Sequence, residues 1–411
     1  MKILMIHQNF PGQFKHLAPA MAQRGHRVVG LGVNPLSVAQ PGVLHVRHSP
    51  RADLSVAGSS AELQSGLSEL ATKLNRAESA CRAVQQLVGQ GFKPDLVLAH
   101  PGWGEAYFLR SVLPKTPLLT YAEYFYGHPE GDTAWDPEFA TVSAGVGPRT
   151  ILKNQHLLQA LHDADGCISP TQFQRSQHPE WAQTKIRVVH DGIDTQRFAP
   201  NPQARVSLKS AGLVFSPGDE VVTFVARQLE PYRGYHIFMR CLPELQRRCP
   251  KAHVVIVGGD GVSYGAPPPQ GTTWKDRFRN EVADGVDWRR VHFVGHVEHT
   301  LLTQLMQVSA VHVYLTYPFV LSWSLLEAMS IGCLVVGSDT APVREVIRHG
   351  ENGLLTDFFD VSRLANTVAD ALMQRHELQG LRLSARAWVM DHVDLRRHCL
   401  PQQIDCLESM A

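Results

Sequence analysis

The chain has 411 residues, of which 44% are hydrophobic and 19% are charged, and this composition predicts a globular protein of about two domains. With a formal net charge of +1 and no polybasic arm, we expect no nucleic-acid binding and at most peripheral contact with a membrane. The seven cysteines form no CxxC pair, which argues against a zinc site or a disulfide framework and favours a reducing cytoplasm. The N-terminal residues lack the pattern of a signal peptide, and no apolar run is long enough to predict a membrane span.

Short apolar runs alternate with amphipathic stretches in the first half of the chain, which favours βα units and a parallel sheet. Helices are predicted over 14–25 and 61–90, and the region 35–60, rich in Pro, Ser and Gly, is predicted to be irregular. The predicted strands are 2–7, 26–33, 94–100, 116–123, 166–170 and 186–194.

The second half repeats this alternation after a polar stretch, 195–220, which is predicted to be a linker. Its predicted strands are 220–227, 251–261, 290–297, 309–316, 332–339 and 352–358. We therefore expect an α/β protein with two doubly wound Rossmann-like domains, 1–198 and 199–389, facing each other across a cleft at the carboxyl ends of both sheets. A helical segment, 390–411, is expected to pack back on the first domain.

The common nucleotide and metal motifs are absent from the sequence. No GxGxxG follows the first strand of either half, and neither GxxxxGK[ST] nor HExxH occurs. One DxD motif, Asp163 and Asp165, could chelate a divalent ion, but it lies at the end of an amphipathic helix, where paired acids are usually solvated. No metal site is predicted.

Two arginines flank a turn after the first strand of the second half, in Arg227-Gln-Leu-Glu-Pro-Tyr-Arg233. A guanidinium at the carboxyl end of a strand, with a second one six residues later, can clamp a diphosphate because its donors form a rigid fork. The alternative is a pair of ordinary surface arginines.

Two further turns have the chemistry of anion and diol binding. Gly12 follows the first strand and would let backbone N–H groups approach an anion, although an ordinary βα turn explains it equally well. A helix that starts near Ser322 would place Glu327 one turn inside, where its carboxylate could accept hydrogen bonds from a ribose diol. The alternative is a capping box, Ser324-Leu-Leu-Glu327, in which the carboxylate binds its own backbone.

The order of these motifs resembles a family 4 glycosyltransferase, whose GT-B architecture has two Rossmann-like domains. The resemblance covers nearly the whole chain. It rests in the second half on ARQLEPYRG, HVVIVGG, VHFVGHV and LLEAMSIGCLVVGSDTAPVREVIRHGENGLL, and in the first half on FPGQFKHLAPAMAQRGHRV, PDLVLAHPGWGEA, ISPTQFQRS and VVHDGIDTQRFAP.

The resemblance implies a set of residues that bind the donor. Arg227 and Arg233 match the diphosphate pair, with Arg233 in place of the usual Lys, and Glu327 matches the second glutamate of a paired motif that holds the ribose. The first glutamate of that pair is replaced by Phe319, which puts recognition of the transferred sugar in doubt. The other implied donor-binding residues are Gly12, Gln13, Gly258, Gly259, His296, Ser322 and Trp323.

His100 matches a histidine near the reacting centre, and Glu105 and Glu123 are weaker candidates at similar strand ends. The resemblance implies a retaining, hexosyltransferase-like enzyme without metal or cofactor, with His100, Arg227 and Arg233 in catalytic roles. The co-substrate would be a UDP- or GDP-linked sugar and the acceptor a glycan or lipid-linked glycan in polysaccharide biosynthesis. The alternatives are a non-catalytic partner protein that binds nucleotide, and a GT-B epimerase or phosphorylase.

Overall fold

The computed structural model describes residues 1–58, 60–127, 131–140, 145–208 and 211–410. Contacts within the chain divide it into two units. Unit 1 contains 1–134, 140–192 and 396–411, and unit 2 contains 135–139 and 193–395. The divisions thus fall within six residues of those expected at 198 and 390, but 135–139 belongs to unit 2 although both of its flanks belong to unit 1.

Unit 1 is built on a seven-stranded parallel sheet in the order β3-β2-β1-β4-β5-β6-β7. The central strands are continuously apolar because helices cover both faces of the sheet. The strands are β1 Lys2–Ile6, β2 Arg27–Gly32, β3 Val43–Arg47, β4 Leu96–Ala99, β5 Leu118–Tyr121, β6 Gly166–Ser169 and β7 Ile186–Val188. Strand β3 corrects the prediction that 35–60 is irregular.

Two packed clusters of apolar side chains, one on each face of the sheet, form the core of unit 1. The C-terminal helix belongs to this core, because Cys406 and Leu407 pack in the same cluster as Ile3 and Met5. The helices of unit 1 are α1 Leu17–Gln23, α2 Ala61–Gly89, α3 Leu109–Val112, α4 Val146–Asp163, α5 Gln172–Ser176, α6 Glu180–Gln183 and α14 Leu400–Glu408.

Unit 2 has a six-stranded parallel sheet in the order β12-β11-β10-β13-β14-β15 and a separate two-stranded antiparallel hairpin, β8-β9. The hairpin corrects the prediction that 195–220 is a linker, since Val206, Leu208 and Phe215 pack on the core beside Val221 and Val255. The strands are β8 Val206–Leu208, β9 Leu213–Phe215, β10 Val221–Gln228, β11 His253–Gly259, β12 Val291–Gly295, β13 Val311–Tyr314, β14 Val335–Ser338 and β15 Leu354–Thr356.

The helices of unit 2 connect these strands in the right order for a doubly wound fold. They are α7 Tyr235–Arg248, α8 Trp274–Glu281, α9 His299–Val308, α10 Trp323–Ile331, α11 Ala341–Arg344, α12 Val361–Met373 and α13 Gln379–His392. Within the described residues, no helix combines the length and the apolar character that crossing a membrane requires.

Each parallel sheet reverses its strand order once, between β1 and β4 in unit 1 and between β10 and β13 in unit 2. Ligands of doubly wound folds bind at the carboxyl ends of the strands beside such a point. The residues that follow β1, β4, β10 and β13 are therefore where the chemistry of each unit should be sought.

Because Leu407 is fully buried in the unit 1 core, Leu407→Ala should lower the free energy of unfolding of this unit by about 2–5 kcal/mol. The matched control is Gln402→Ala, on the exposed face of the same helix, with an expected change of about 0.5 kcal/mol or less. Chemical denaturation followed by circular dichroism measures both. Equal losses in the two variants would contradict the packing of α14 in the core.

Candidate functional site

Arg227 lies near the carboxyl end of β10, beside the reversal point of unit 2. Its side chain is exposed, and its guanidinium forms no hydrogen bond or ion pair with any of the residues that the structure describes. Its carbonyl oxygen accepts a hydrogen bond from His296 Nε2 at 2.8 Å, which shows that this nitrogen carries the proton. Arg227 is thus a cation in a fixed backbone position with its fork of donors directed to solvent.

Gly258 and Gly259 end strand β11 next to Arg227. Close packing leaves no room for a side chain at either position. A Cβ atom at Gly258 would lie 2.6 Å from Leu229, and one at Gly259 would lie 2.5 Å from both Gln228 and His296. Gly258 also has a φ of 159°. The two glycines therefore let β10, β11 and the His296 loop meet.

Glu230, which the sequence analysis missed, is fully buried in the turn between Arg227 and Arg233. Its carboxylate accepts hydrogen bonds at 3.2 Å from the backbone N–H groups of three successive residues, Ser263, Tyr264 and Gly265. Glu230 thereby fixes the loop that follows β11 to the turn that follows β10.

Arg233 differs from Arg227 in being buried, with 7% of its surface exposed. Its Nη1 donates to Thr316 Oγ1 at 2.9 Å and to the Val320 carbonyl at 3.0 Å, and lies 3.4 Å from the Tyr314 hydroxyl. Burial alone would lower the pKa of Arg233, but the neighbouring Tyr314 and Tyr264 outweigh it, and the pKa lies above its usual value. Any phosphate would have to use the other guanidinium nitrogens, so this role of Arg233 stays a prediction.

Phe319 is buried, with 3% of its surface exposed, and lies in an aromatic cluster. Its ring packs edge-on against Tyr232 at 5.5 Å and Tyr264 at 5.0 Å, and the Arg233 guanidinium carbon lies 5.9 Å from its centroid. The residue that replaces the first glutamate of the motif thus packs beneath Arg233, and its contact with a sugar stays a prediction.

Helix α10 begins one residue after Ser322, whose Oγ accepts a hydrogen bond from Ser324 N. The alternative of a capping box that starts at Ser324 is therefore excluded, because Ser322 caps the helix. The Ser322 N–H donates to the Tyr314 hydroxyl at 2.9 Å, so this backbone donor already has a partner within the protein. Trp323 is the first residue of the helix.

Glu327 lies one turn inside α10 and is buried, with 4% of its surface exposed. Its Oε1 lies 3.3 Å from His299 Nε2, at the start of α9, and no hydrogen bond from a described residue reaches Oε2. The carboxylate is thus oriented by a histidine and retains capacity to accept hydrogen bonds.

In unit 1, His7 and His100 follow β1 and β4 on either side of the reversal point, with ring centroids 5.0 Å apart. The His7 Nδ1 accepts from the Asn9 N–H at 3.0 Å, and the His100 Nδ1 accepts from the Gly102 N–H at 3.1 Å. A backbone N–H can only donate, so in both neutral rings the proton is on Nε2. Each ring therefore presents a donor through Nε2.

Both rings face Glu123, His7 through Gln13 and His100 directly. His7 Nε2 donates to Gln13 Oε1 at 2.7 Å, and Gln13 Nε2 donates to Glu123 Oε1 at 2.8 Å. His100 Nε2 lies 3.4 Å from Glu123 Oε2, and the Glu123 side chain is 31% exposed. Gln13, expected to bind the donor, is a bridge in this relay, and a side chain at Gly12 would overlap the His7 ring.

The electrostatics of this relay favour a neutral His7 and an ionised Glu123. Burial, reinforced by His100, lowers the pKa of His7 to about 3. Burial alone would raise the pKa of Glu123, but the neighbouring His100 and the hydrogen bond from Gln13 outweigh it and hold the pKa below its usual value. At neutral pH the relay therefore ends in a carboxylate that is accessible to solvent.

The same carboxyl edge of unit 1 contains a pocket of about 40 Å³ next to Glu123. Its lining includes His100, Tyr121, Glu123, Tyr124, His156 and His178. A pocket of this volume has room for an ordered water molecule between the polar groups around it.

Glu105, the other candidate carboxyl group, is fully buried, and neither of its oxygens accepts a hydrogen bond from another described residue. Burial raises its pKa from 4.5 to about 7. Asp163 and Asp165 have protein partners, Gln159 and Arg110 respectively, and within the described residues no group of three acidic, histidine or cysteine side chains is placed to hold a metal.

Two family models match this chain in succession. The model of the glycosyl transferase family 4 group matches residues 24–198, and that of the glycosyl transferases group 1 matches residues 209–388. This chain belongs to the family 4 glycosyltransferases. The resemblance seen in its motifs is thereby confirmed.

One curated relative of this glycosyltransferase family member is the GDP-mannose-dependent alpha-(1-6)-phosphatidylinositol monomannoside mannosyltransferase of Mycolicibacterium smegmatis. It is 23% identical over 249 residues, which cover 56% of this chain and 59% of the relative. Its two counterparts from Mycobacterium tuberculosis strains are matched over 51% of their length. The chain thus spans about half the length of these relatives.

Solved structures establish the GT-B fold. The sucrose-phosphate synthase of Thermosynechococcus elongatus has a TM-score of 0.73 and 17% identity, with coverage of 100% of this chain and 98% of that one. Anabaena HepE in complex with UDP-glucose has a TM-score of 0.68 and 17% identity, with full coverage of both chains. The predicted fold class is confirmed.

Glu105 should make the stability of this glycosyltransferase family member depend on pH. Between pH 4.5 and about 7 the folded state binds more protons than the unfolded state, so the free energy of unfolding falls as pH rises through this window and then levels off. Glu105→Gln should remove that fall, which is on the order of 1–3 kcal/mol.

Denaturation midpoints at pH 5 and pH 8 measure this effect. Glu180→Gln, an exposed glutamate of the same unit, is the control and should keep the wild-type dependence. A Glu105→Gln profile that parallels the wild type would contradict the assignment.

Proposed function

We propose that the chain is a retaining glycosyltransferase that moves a sugar from a nucleotide-diphosphate sugar to a hydroxyl acceptor. The observation that carries the proposal is Arg227, an exposed guanidinium at the reversal point of the unit 2 sheet with no partner among the residues that the structure describes. Such a cation, together with the glycine-lined end of β11, has the chemistry that a diphosphate requires.

The donor contacts follow from the charges of unit 2. The positive charge of Arg233 is partly compensated by the carboxylate of Glu230, whereas none of the described residues pairs with the Arg227 guanidinium. Arg227 is therefore assigned the main contact with the diphosphate. Glu327 is assigned the ribose, because its Oε2 is able to accept from a hydroxyl while His299 orients Oε1. His296, Gly258 and Gly259 line the same end of the sheet.

The acceptor is assigned to unit 1, where Glu123, with His100 beside it, accepts a hydrogen bond from a hydroxyl of the acceptor next to the attacking one. In a front-face displacement the bond from the anomeric carbon to the phosphate oxygen breaks while the bond to the acceptor oxygen forms on the same face. The acceptor proton goes to the departing phosphate. Catalysis then depends mainly on stabilising the negative charge of the leaving diphosphate.

Relatives suggest which substrates to test first. The mannosyltransferase is named for GDP-mannose and a phosphatidylinositol mannoside, and HepE was solved with UDP-glucose. We therefore propose a UDP- or GDP-linked hexose as donor and a glycan or lipid-linked glycan as acceptor. Thermal-shift screening of UDP- and GDP-sugars, followed by measurement of released nucleotide, tests the proposal, which fails if no nucleotide sugar binds.

Arg227→Ala should weaken donor binding by a factor of about 10–100 because it removes a charge-assisted contact to the diphosphate, while the melting temperature without ligand stays the same. Titration calorimetry with the donor found in the screen measures the change. Arg363→Ala, an exposed arginine elsewhere in unit 2, is the control and should bind like the wild type. Equal affinity in both variants would remove Arg227 from the site.

The reaction should also proceed without a divalent metal, since the proposed charge stabilisation comes from Arg227 and Arg233. Nucleotide release in the presence of EDTA should match the rate in untreated enzyme. Loss of the activity in EDTA and its recovery with Mg²⁺ or Mn²⁺ would contradict this part of the mechanism.

A further inference from the structure

The short segment Trp135–Phe139, called here the anchor segment, is part of unit 2 although β5 before it and α4 after it belong to unit 1. The rings of Trp135 and Phe139 pack this segment against other aromatic side chains of unit 2. Trp135 packs within 4.7–5.0 Å of the rings of Tyr317, Phe358 and Phe359. Phe139 packs edge-on against His236, Trp274 and Phe278 at 5.1–6.2 Å. Neither the proposed donor site nor the acceptor residues include this segment.

Between the two rings the anchor segment buries a carboxylate, Asp136, which is 3% exposed. Its Oδ1 accepts from the Glu138 N–H at 3.0 Å, which closes a tight turn. Its Oδ2 accepts from the Tyr317 hydroxyl at 2.6 Å and lies 3.1 Å from His236 Nε2. Burial alone would raise the pKa of Asp136, but the neighbouring His236 and the hydrogen bond from Tyr317 outweigh it and hold the pKa below its usual value. The carboxylate is therefore ionised and depends on these partners.

Tyr317 connects this carboxylate to the turn that contains Arg233. The Tyr317 N–H donates to the Tyr232 carbonyl at 3.0 Å, and the two rings lie 4.6 Å apart. Tyr232 immediately precedes Arg233 in the 3-10 turn Pro231–Arg233. Tyr317 is also the first residue after Thr316, whose hydroxyl accepts from Arg233 Nη1.

Two residues that follow Tyr317 also contact Arg233. The Val320 carbonyl accepts a hydrogen bond from the guanidinium, and the Phe319 ring packs beneath it. The stretch 315–322, called here the donor loop, is thus attached to Arg233 by Thr316 and Val320 and to the anchor segment by Tyr317. A displacement of Tyr317 would move both of the oxygens that orient Arg233.

We infer that Asp136 is a positioning residue for the donor site: by holding the Tyr317 hydroxyl it fixes the donor loop in the conformation that orients Arg233 toward the nucleotide diphosphate. The inference rests on the proposed function for its ligand. It assigns a role to a part of the chain that lies between elements of unit 1 in sequence and contributes no side chain to the diphosphate itself.

Three variants test the inference, with a fourth as control. Tyr317→Phe removes only the hydroxyl, Asp136→Asn removes the charge while keeping an acceptor for the tight turn, and the double variant combines them. Glu138→Gln is the control, because Glu138 lies in the same segment but pairs with Arg240 at 2.7 Å on the exposed surface. If Asp136→Asn does not fold, Tyr317→Phe carries the test alone.

Two measurements are made on each protein. Hydrogen exchange of the ligand-free protein should show faster exchange confined to the donor loop in Tyr317→Phe and Asp136→Asn, and no change in Glu138→Gln. Titration with UDP and with GDP should show a Kd about tenfold higher in each single variant. The double variant should be no weaker than the weaker single variant, because both changes break one hydrogen bond.

Unchanged exchange of the donor loop in both single variants would overturn the inference, whatever the nucleotide affinities. Faster exchange with an unchanged Kd would also overturn it, since the loop would then not position the site. If wild-type protein binds neither UDP nor GDP, the proposed function fails and the donor-site role of Asp136 fails with it. The exchange measurement still decides whether the anchor segment holds the loop.

Discussion

A buried guanidinium, Arg233, is the constraint on which the architecture of unit 2 depends. A charge removed from water must find partners in the protein, or its burial is very costly. Arg233 finds them on three separate segments: β13 through Tyr314, the donor loop through Thr316 and Val320, and the loop after β11 through Tyr264. Glu230, in the same turn as Arg233, adds a negative charge. The carboxyl edge of the sheet is thereby organised around a charge that is largely satisfied by protein, which leaves the exposed Arg227 as the cation available to an anionic ligand.

The charged group at the reversal point of unit 1 is negative, and it too has partners within the protein. The ionised Glu123 is reached by Gln13 and faced by His100, and backbone N–H groups set the tautomer of each histidine. Because those backbone groups occupy both Nδ1 atoms, neither neutral ring is a base at that nitrogen. At this reversal point the Glu123 carboxylate, rather than either imidazole, is therefore able to accept a hydrogen bond from a hydroxyl.

Sequence patterns predicted the sheets well because buried parallel strands are continuous apolar runs, such as β1, β10 and β11. They failed for β3, an edge strand with only one neighbour, and for the β8-β9 hairpin, whose strands have only three residues each and lie in a largely polar stretch. Arg227 and Glu327 could be proposed from position and motif. Glu230 and Asp136 could not, because their partners lie 33 to 35 and 181 residues away, and nothing local in the sequence marks a contact of that range.

The central claim is that a nucleotide diphosphate binds at the reversal point of unit 2 with Arg227 as its principal cation. The most direct measurement is a crystal structure of the chain with UDP or GDP bound. The account predicts the diphosphate oxygens within hydrogen-bonding distance of the Arg227 guanidinium and the ribose hydroxyls against the Glu327 carboxylate. A diphosphate bound elsewhere, with Arg227 still directed to solvent and Glu327 without contact to the ribose, would contradict it.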